Sequence, residues 1–210
     1  MNKIIFAQLL SFLPKRKFKS LAKSQDRRSR SDSLTAHEQF ICMVFAQLTN
    51  CNGLRDIDIG MKAMSHKVYH LGLTKSVSKS NISRANNKRP SVVFRSLAEL
   101  LIKEARELYK NEKLEHMLDE VVYILDSTYI SLCLSLFPWG QIGKQQISGL
   151  KVHALLDLRG AIPTFIDVTK GSHPDNKMLD NIVIEAGAIY VFDKAYIDFK
   201  RLSQIDDARG

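Results

Sequence analysis

Cysteine is scarce in this chain, and the little there is does not suit metal or redox chemistry. Cys42, Cys51 and Cys133 are odd in number and match no zinc or CxxC spacing, so reduced thiols buried among apolar neighbours are expected. No apolar run approaches the roughly twenty residues needed to cross a bilayer, which excludes a helical membrane protein at the level of sequence. The one apolar stretch near the start, Ile4–Leu13, is interrupted by Gln8 and Ser11, lacks a small-residue cleavage site and is closed by Pro14-Lys15-Arg16-Lys17. That pattern predicts a short amphipathic helix rather than a secretory signal, and with it a soluble, cytoplasmic protein. Acids are missing where bases gather. Before residue 31 only Asp26 opposes Lys3, Lys15, Arg16, Lys17, Lys19, Lys23, Arg27, Arg28 and Arg30, and residues 75–89 carry Lys75, Lys79, Arg84, Lys88 and Arg89 with no acid.

What is present follows from that imbalance. The 210 residues hold 31 Lys and Arg against 22 Asp and Glu, a net charge of +9 and a pI near 9.5, which favours a polyanionic partner. The length suits one large domain or two small ones, and the pattern divides the chain into a helical, basic part over 1–115 and a strand-rich part over 116–210. Residues 14–33, basic and Ser-rich, read as a loop or flexible arm. Thr35-Ala36-His37-Glu38 is a capping box that opens a helix ended by Asn52-Gly53. A second helix is expected from Leu54 to Met64, and a third from Ser80, as N-cap, to Asn87, stopped by Pro90. Val93, Leu97, Leu100, Leu101, Ala105 and Leu108 then mark a long amphipathic helix over 91–110.

Beyond residue 116 the period becomes that of strands. Val121–Leu125 is a continuous apolar run, as in a strand buried on both faces, and it ends in Asp126; Ala188–Phe192 repeats the arrangement and runs into Asp193. Between them, residues 148–158 and 162–168 read as a hairpin about Arg159-Gly160, and Pro174 opens a helix expected to reach Ile184; another helix is expected from Tyr196 to Ile205. The order strand, strand, strand, helix, strand, helix pairs the first and last strands at the centre of a mixed sheet. Side-by-side strands would bring Asp126 and Asp193 together, and two convergent carboxylates suit a hard cation such as Mg²⁺. The fold class expected is α+β, an all-helical N-terminal domain followed by an incomplete ribonuclease H-like sheet with flanking helices.

The segments NKIIFAQLLSFLP (2–14), QFICMVFAQLTNCNGLRDID (39–58), VYHLGL (68–73), SNISRANNKRP (80–90), LDSTYISLCLSLFPW (125–139), KVHALLDLRGAIPTF (151–165) and FDKAYIDF (192–199) resemble bacterial insertion-sequence transposases of the IS-four family, DDE type, in the branch with a helical N-terminal domain. The resemblance implies a ribonuclease H-like catalytic domain that cuts and joins DNA by metal-dependent phosphoryl transfer. It places the first acid of the triad at Asp126, in strand–Asp-Ser-Thr, and the second at Asp193, in Asp193-Lys194-Ala195-Tyr196, where Lys and Ala replace the family's Arg and Gly. Both acids are then catalytic residues and ligands of Mg²⁺ or Mn²⁺, two ions in the complete enzyme. The family's third acid, a Glu in a Tyr-x2-Arg-x3-Glu-x6-Lys pattern, has no counterpart, so the chain reads as the front part of a transposase, inactive alone. The partner implied is double-stranded DNA, both element ends and target, with no membrane; a homodimer on DNA is compatible. The alternative is a non-enzymatic DNA-binding protein, a truncated relic or inhibitor that keeps end recognition without cleavage.

Other motifs carry less. A haloacid-dehalogenase phosphatase also begins with a strand ending in Asp, but needs a second Asp two residues on, where Thr128 stands. Ser127 and Thr128 read as strand-end hydrogen bonders, Asp157 and Asp167 as turn residues, and Phe137 and Trp139 as core. His153 and His173, the latter beside Asp175, read as core or cap residues that could also support the site. The helix at 54–64 and the acid-free one after it form a candidate helix-turn-helix. Its DNA-contacting residues would be Lys79, Ser80, Asn81, Arg84, Lys88 and Arg89, with Ser83 and Asn87 offering further contacts.

Overall fold

The structure, a computed structural model, describes residues 5–25, 34–73, 77–110, 120–143 and 147–208. The chain forms two compact units, Met1–Leu100 and Leu101–Gly210. In the first, α1 (Ile5–Leu9) tightens into a 3₁₀ turn (Leu10–Phe12) and is followed by α2 (Lys15–Gln25), α3 (Ala36–Leu48), α4 (Leu54–Ala63), α5 (Lys79–Lys88) and the opening turns of α6 (Val92–Leu108). Ile41, Cys42 and Phe45 of α3 meet Ile57 and Met61 of α4 and Ile82 and Ala85 of α5 in one apolar core. The capping box is complete: Thr35 Oγ1 accepts the Glu38 N–H at 3.2 Å, and Glu38 Oε2 accepts the Thr35 N–H at 2.9 Å.

Three readings of this half change. Residues 15–25 are helical rather than a loose arm, because Phe18 is fully buried and its ring meets His37, Phe40 and Phe94. One aromatic anchor holds a helix whose remaining surface is basic; residues 26–33 of the expected arm lie outside the described residues. α5 begins two residues earlier than expected, since Ser78, not Ser80, is the N-cap and accepts the Asn81 N–H at 3.3 Å. α4 and α5 pack together but are not a helix-turn-helix. The whole stretch 64–78, with its own 3₁₀ turn at Val68–Leu71, separates them, whereas that motif joins its helices through a turn of three or four residues.

The second unit is a four-stranded mixed sheet, β1 (Val122–Leu132), β2 (Ser148–Asp157), β3 (Ile162–Lys170) and β4 (Ile189–Phe192), in the order β3-β2-β1-β4, closed by α7 (Phe199–Asp207). β1, β2 and β3 form an antiparallel meander and β4 returns parallel to β1. This is the α+β, ribonuclease H-like arrangement, with β1 interior and β4 at the edge rather than both at the centre. Tyr123, Leu125, Leu155, Phe165, Tyr190 and Phe192 pack on one face against Met178, Leu179, Ile182, Tyr196 and Ile205.

β1 does not stop at Asp126 but continues to Leu132, paired all the way with β2. The expected helix from Pro174 is a single 3₁₀ segment, Asp175–Asp180, ended at Asn181, where two short polar side chains oppose helical continuation. α7 starts after Asp198, whose carboxylate accepts the Arg201 N–H, while Lys194–Tyr196 is a separate 3₁₀ turn. Phe137 and Trp139 are not core: they are 38% and 53% exposed and meet edge to face. Asp157 does cap its turn through the Arg159 N–H, but it is also buried and paired with the Arg159 guanidinium, whereas Asp167 lies inside β3. Of the thiols only Cys42 is buried; Cys133 is exposed, and all three are free. Among the described residues, no helix is long and apolar enough to cross a membrane.

Candidate active site

The parallel pairing of β1 with β4 ends at Leu125↔Phe192. The next residue after each member of that pair is an aspartate: Asp126, still within β1, and Asp193, the first residue past β4 and the N-cap of the turn that follows. Both are exposed. Neither carboxylate is in an ion pair among the described residues; each instead accepts a nearby backbone N–H, Asp126 Oδ1 that of Ser127 at 2.7 Å and Asp193 Oδ1 that of Ala195 at 2.8 Å. The Ser127 N–H lies just past the last β1–β4 pair, which is why a side chain and not a strand neighbour satisfies it. Two carboxylates that follow the last pair of neighbouring strands, neither of them ion-paired among the described residues, are hard oxygen donors of the kind that a Mg²⁺ or Mn²⁺ site takes. Among the described residues no group of three or more His, Cys, Asp or Glu converges to complete one.

A polar cluster lies on the core face of the sheet beside this pair. Side chains alternate along a strand, so Ser127 shares the face of Tyr123 and Leu125 while Asp126 takes the other. Ser127 Oγ donates to Asp175 Oδ1 at 3.1 Å, and Lys151 Nζ donates to Asp175 Oδ2 at 2.7 Å and to the His173 carbonyl at 3.2 Å. His153, opposite Ser127 on β2 and fully buried, shares a hydrogen bond of 2.9 Å with Thr169 through Nε2, while its Nδ1 has no hydrogen-bond partner and stands 3.7 Å from Asp175. Burial lowers its pKa, against the opposing pull of Asp175. Tyr196, also fully buried, places its hydroxyl against Ser127 without a well-aligned hydrogen bond. Burial first, then Asp175, Asp126 and Asp193, push its pKa up to about 12 despite the Ser127 contact. Sequence reasoning offers His153, and His173 with Asp175 beside it, as possible supports of the site and quotes Tyr196 only as part of the Asp193 motif; Lys151 has no role there. Their spacing in sequence carries no signal, since only the meander and the 3₁₀ turn bring them together.

The residues expected to meet DNA lie elsewhere, on α5 and just after it. Lys79, Ser80, Arg84, Asn87 and Lys88 are exposed, and Asn81 is half-buried behind the Ser78 cap. Arg89 is engaged within the fold: its guanidinium donates to Gln39 Oε1 and, at 2.7 Å, to the Leu34 carbonyl. Gln39, buried, passes its own amide N–H to Asn86 and so ties α3 to α5.

Residues 118–210, which include both aspartates, match the family described as Transposase DDE domain, and residues 1–74 match one described as Domain of unknown function (DUF4372). The chain is similar to y4zB of Sinorhizobium fredii (strain NBRC 101917 / NGR234), a protein named as a candidate transposase. The two are 30% identical over 129 residues, 61% of this chain and 34% of the relative. The matched region thus spans about a third of that relative's length. No solved structure matches the chain.

Proposed function

We infer, for a chain that belongs to the insertion-sequence transposases of DDE type, that Asp126 and Asp193 are catalytic carboxylates for metal-dependent phosphoryl transfer on DNA. The observation that supports this reading is the parallel β1–β4 register, which ends at Leu125↔Phe192, one residue before each acid. Residues 116–210 would supply this catalytic part and residues 1–115 the DNA-binding part. Asp126 and Asp193 would hold Mg²⁺ or Mn²⁺ through their carboxylate oxygens, with the Ser127 and Ala195 N–H groups fixing how each carboxylate faces. Such ions, when bound, would supply activation of an attacking oxygen and stabilisation of a leaving one at phosphorus. The protein needs no nucleophile of its own for that chemistry, and Ser127, whose hydroxyl is committed to Asp175, is not used as one. On the basic unit, Lys79, Ser80, Asn81, Arg84 and Lys88 would contact the phosphates of duplex DNA, the element's ends and its target. Arg89 contributes to that surface through its hold on α3 rather than by contact.

Among the described residues no third acid joins these two, and a site of two carboxylates alone would be incomplete. Losing one ligand costs several kcal/mol of transition-state stabilisation, hence several orders of magnitude in rate. The acid-free α5, with Lys79, Arg84 and Lys88 exposed, supports as a second reading a chain that binds DNA without cutting it. The test is Mg²⁺- or Mn²⁺-dependent nicking, together with binding, of a DNA carrying the element's ends. Salt-sensitive binding without nicking is expected. Nicking that Asp126→Ala and Asp193→Ala each abolish would show the 210 residues to be active by themselves and uphold the two acids. Nicking that survives both substitutions, or no measurable affinity for DNA, would refute the reading.

A further inference from the structure

Resting on the carboxylate pair as the cation site, we propose that Asp175, held by Lys151, is a positioning residue that fixes Asp126 through the Ser127 hydroxyl. Asp126 and Ser127 share a peptide that has lost its neighbour on one side, because β4 pairs with β1 only as far as Leu125↔Phe192. β2 alone then restrains that peptide within the sheet. The remaining tether is the Ser127 side chain, which reaches into the core face and ends on Asp175 Oδ1. The same residue's N–H sits on Asp126 Oδ1, so wherever Ser127 is held, the Asp126 carboxylate is held too.

Asp175 is well placed for this. Its side chain is 14% exposed and each oxygen has its own donor, Ser127 on Oδ1 and Lys151 on Oδ2. His153 Nδ1, at 3.7 Å, is too far to compete for Oδ1 as a hydrogen bond. Lys151 also binds the His173 carbonyl, two residues before Asp175, and thereby fixes the turn that delivers the carboxylate. A third negative charge close to Asp126 and Asp193 would be unfavourable on its own, and Lys151 neutralises it at 2.7 Å. Packing alone would be met by a neutral side chain in Asp175's place. What the ion pair adds is a fixed direction for one hydroxyl, and that hydroxyl belongs to the residue after the catalytic aspartate.

The test is a double-mutant cycle on the full chain, read by Mn²⁺ affinity from electron paramagnetic resonance and by thermal unfolding. Ser127→Ala and Asp175→Ala should each weaken Mn²⁺ binding about tenfold, as loss of an outer-shell partner does. The double variant should be no weaker than either single one, because the two act through one contact. Ser127→Thr, which restores the hydroxyl, should recover the affinity, and unfolding temperature should not track these changes. If Asp175→Ala does not fold, Lys151 having lost its counter-charge, Asp175→Ala made together with Lys151→Met, which removes both charges, takes its place beside Ser127→Ala and closes the cycle. Unchanged Mn²⁺ affinity in Ser127→Ala, where Asp126→Ala abolishes binding, overturns the proposal alone, as does full additivity of the two effects. Absence of Mn²⁺ binding, or binding indifferent to Asp126→Ala, overturns the carboxylate-pair reading and this inference with it.

Discussion

Arg89 and Arg84 lie on the same short basic stretch, yet their substitution should have opposite consequences. Arg89→Ala removes a guanidinium that donates to Gln39 Oε1 and to the Leu34 carbonyl. Gln39 is only 3% exposed, so its oxygen would be left without a partner in the core of the helical unit. A hydrogen bond from a charged donor contributes about 1.5–3 kcal/mol. Two are lost, but Arg89 is itself half-buried and water replaces part of the second, which leaves about 2–4 kcal/mol. For a unit of this size that lowers the unfolding temperature by on the order of 10 °C. Arg84, exposed on α5, should leave thermal stability within about 0.5 kcal/mol when changed to Ala while weakening DNA binding. Circular dichroism melting of both variants beside a DNA titration separates the roles. An Arg89→Ala protein that melts like the parent but binds DNA poorly would refute the assignment, and with it the account of how α3 and α5 are joined.

Three further outcomes are expected. Phe18→Ala should cost about 3–5 kcal/mol, because the ring is fully buried among His37, Phe40 and Phe94, and limited proteolysis should then cut within α2; an unaltered melt would restore the reading of residues 14–33 as a loose arm. Replacing Lys79, Arg84 and Lys88 together by Ala should reduce the slope of log affinity against log salt by about 2.7 if each neutralises one phosphate, and an unchanged slope in a filter-binding series would place the DNA surface elsewhere. His37 and His153 both have pKa values lowered chiefly by burial, so the unfolded chain takes up protons that the folded chain refuses. Stability from this source is complete above the ordinary imidazole pKa near 6.5 and falls as pH drops below it; urea midpoints from pH 8 to pH 5 should fall least in His37→Gln/His153→Gln, and equal loss in the double variant would contradict the assignment.

Much of the fold was legible from local chemistry. The Thr35–Glu38 box, Gly53 before α4, Pro90 before α6 and the Arg159-Gly160 turn are signals whose meaning lies within a few residues. So are the two apolar runs that deliver Asp126 and Asp193, since a buried strand announces itself by composition. The failures share one cause, dependence on distant partners. α2 is helical because of rings on α3 and α6, which no local pattern of lysines reveals. Trp139 and Phe137 read as core by residue type, but they lie on a short turn between β1 and β2 that leaves both rings exposed, meeting each other edge to face. Arg89 looked like a phosphate ligand because its neighbours are basic, and only the position of Gln39 commits it inward. Asp175 acquires its place from a 3₁₀ turn beneath β1, and the turn was read as a longer helix.

The measurement that tests the central claim most directly is an anomalous diffraction map of crystals grown with Mn²⁺. The account predicts a peak bonded to carboxylate oxygens of both Asp126 and Asp193, at about 2.0–2.2 Å in the manner of a small hard cation, and its loss in Asp126→Ala. A peak held by neither residue, or ordered carboxylates on opposite faces of the sheet and more than about 10 Å apart, too far for the ions of a two-metal site to bridge, would contradict it.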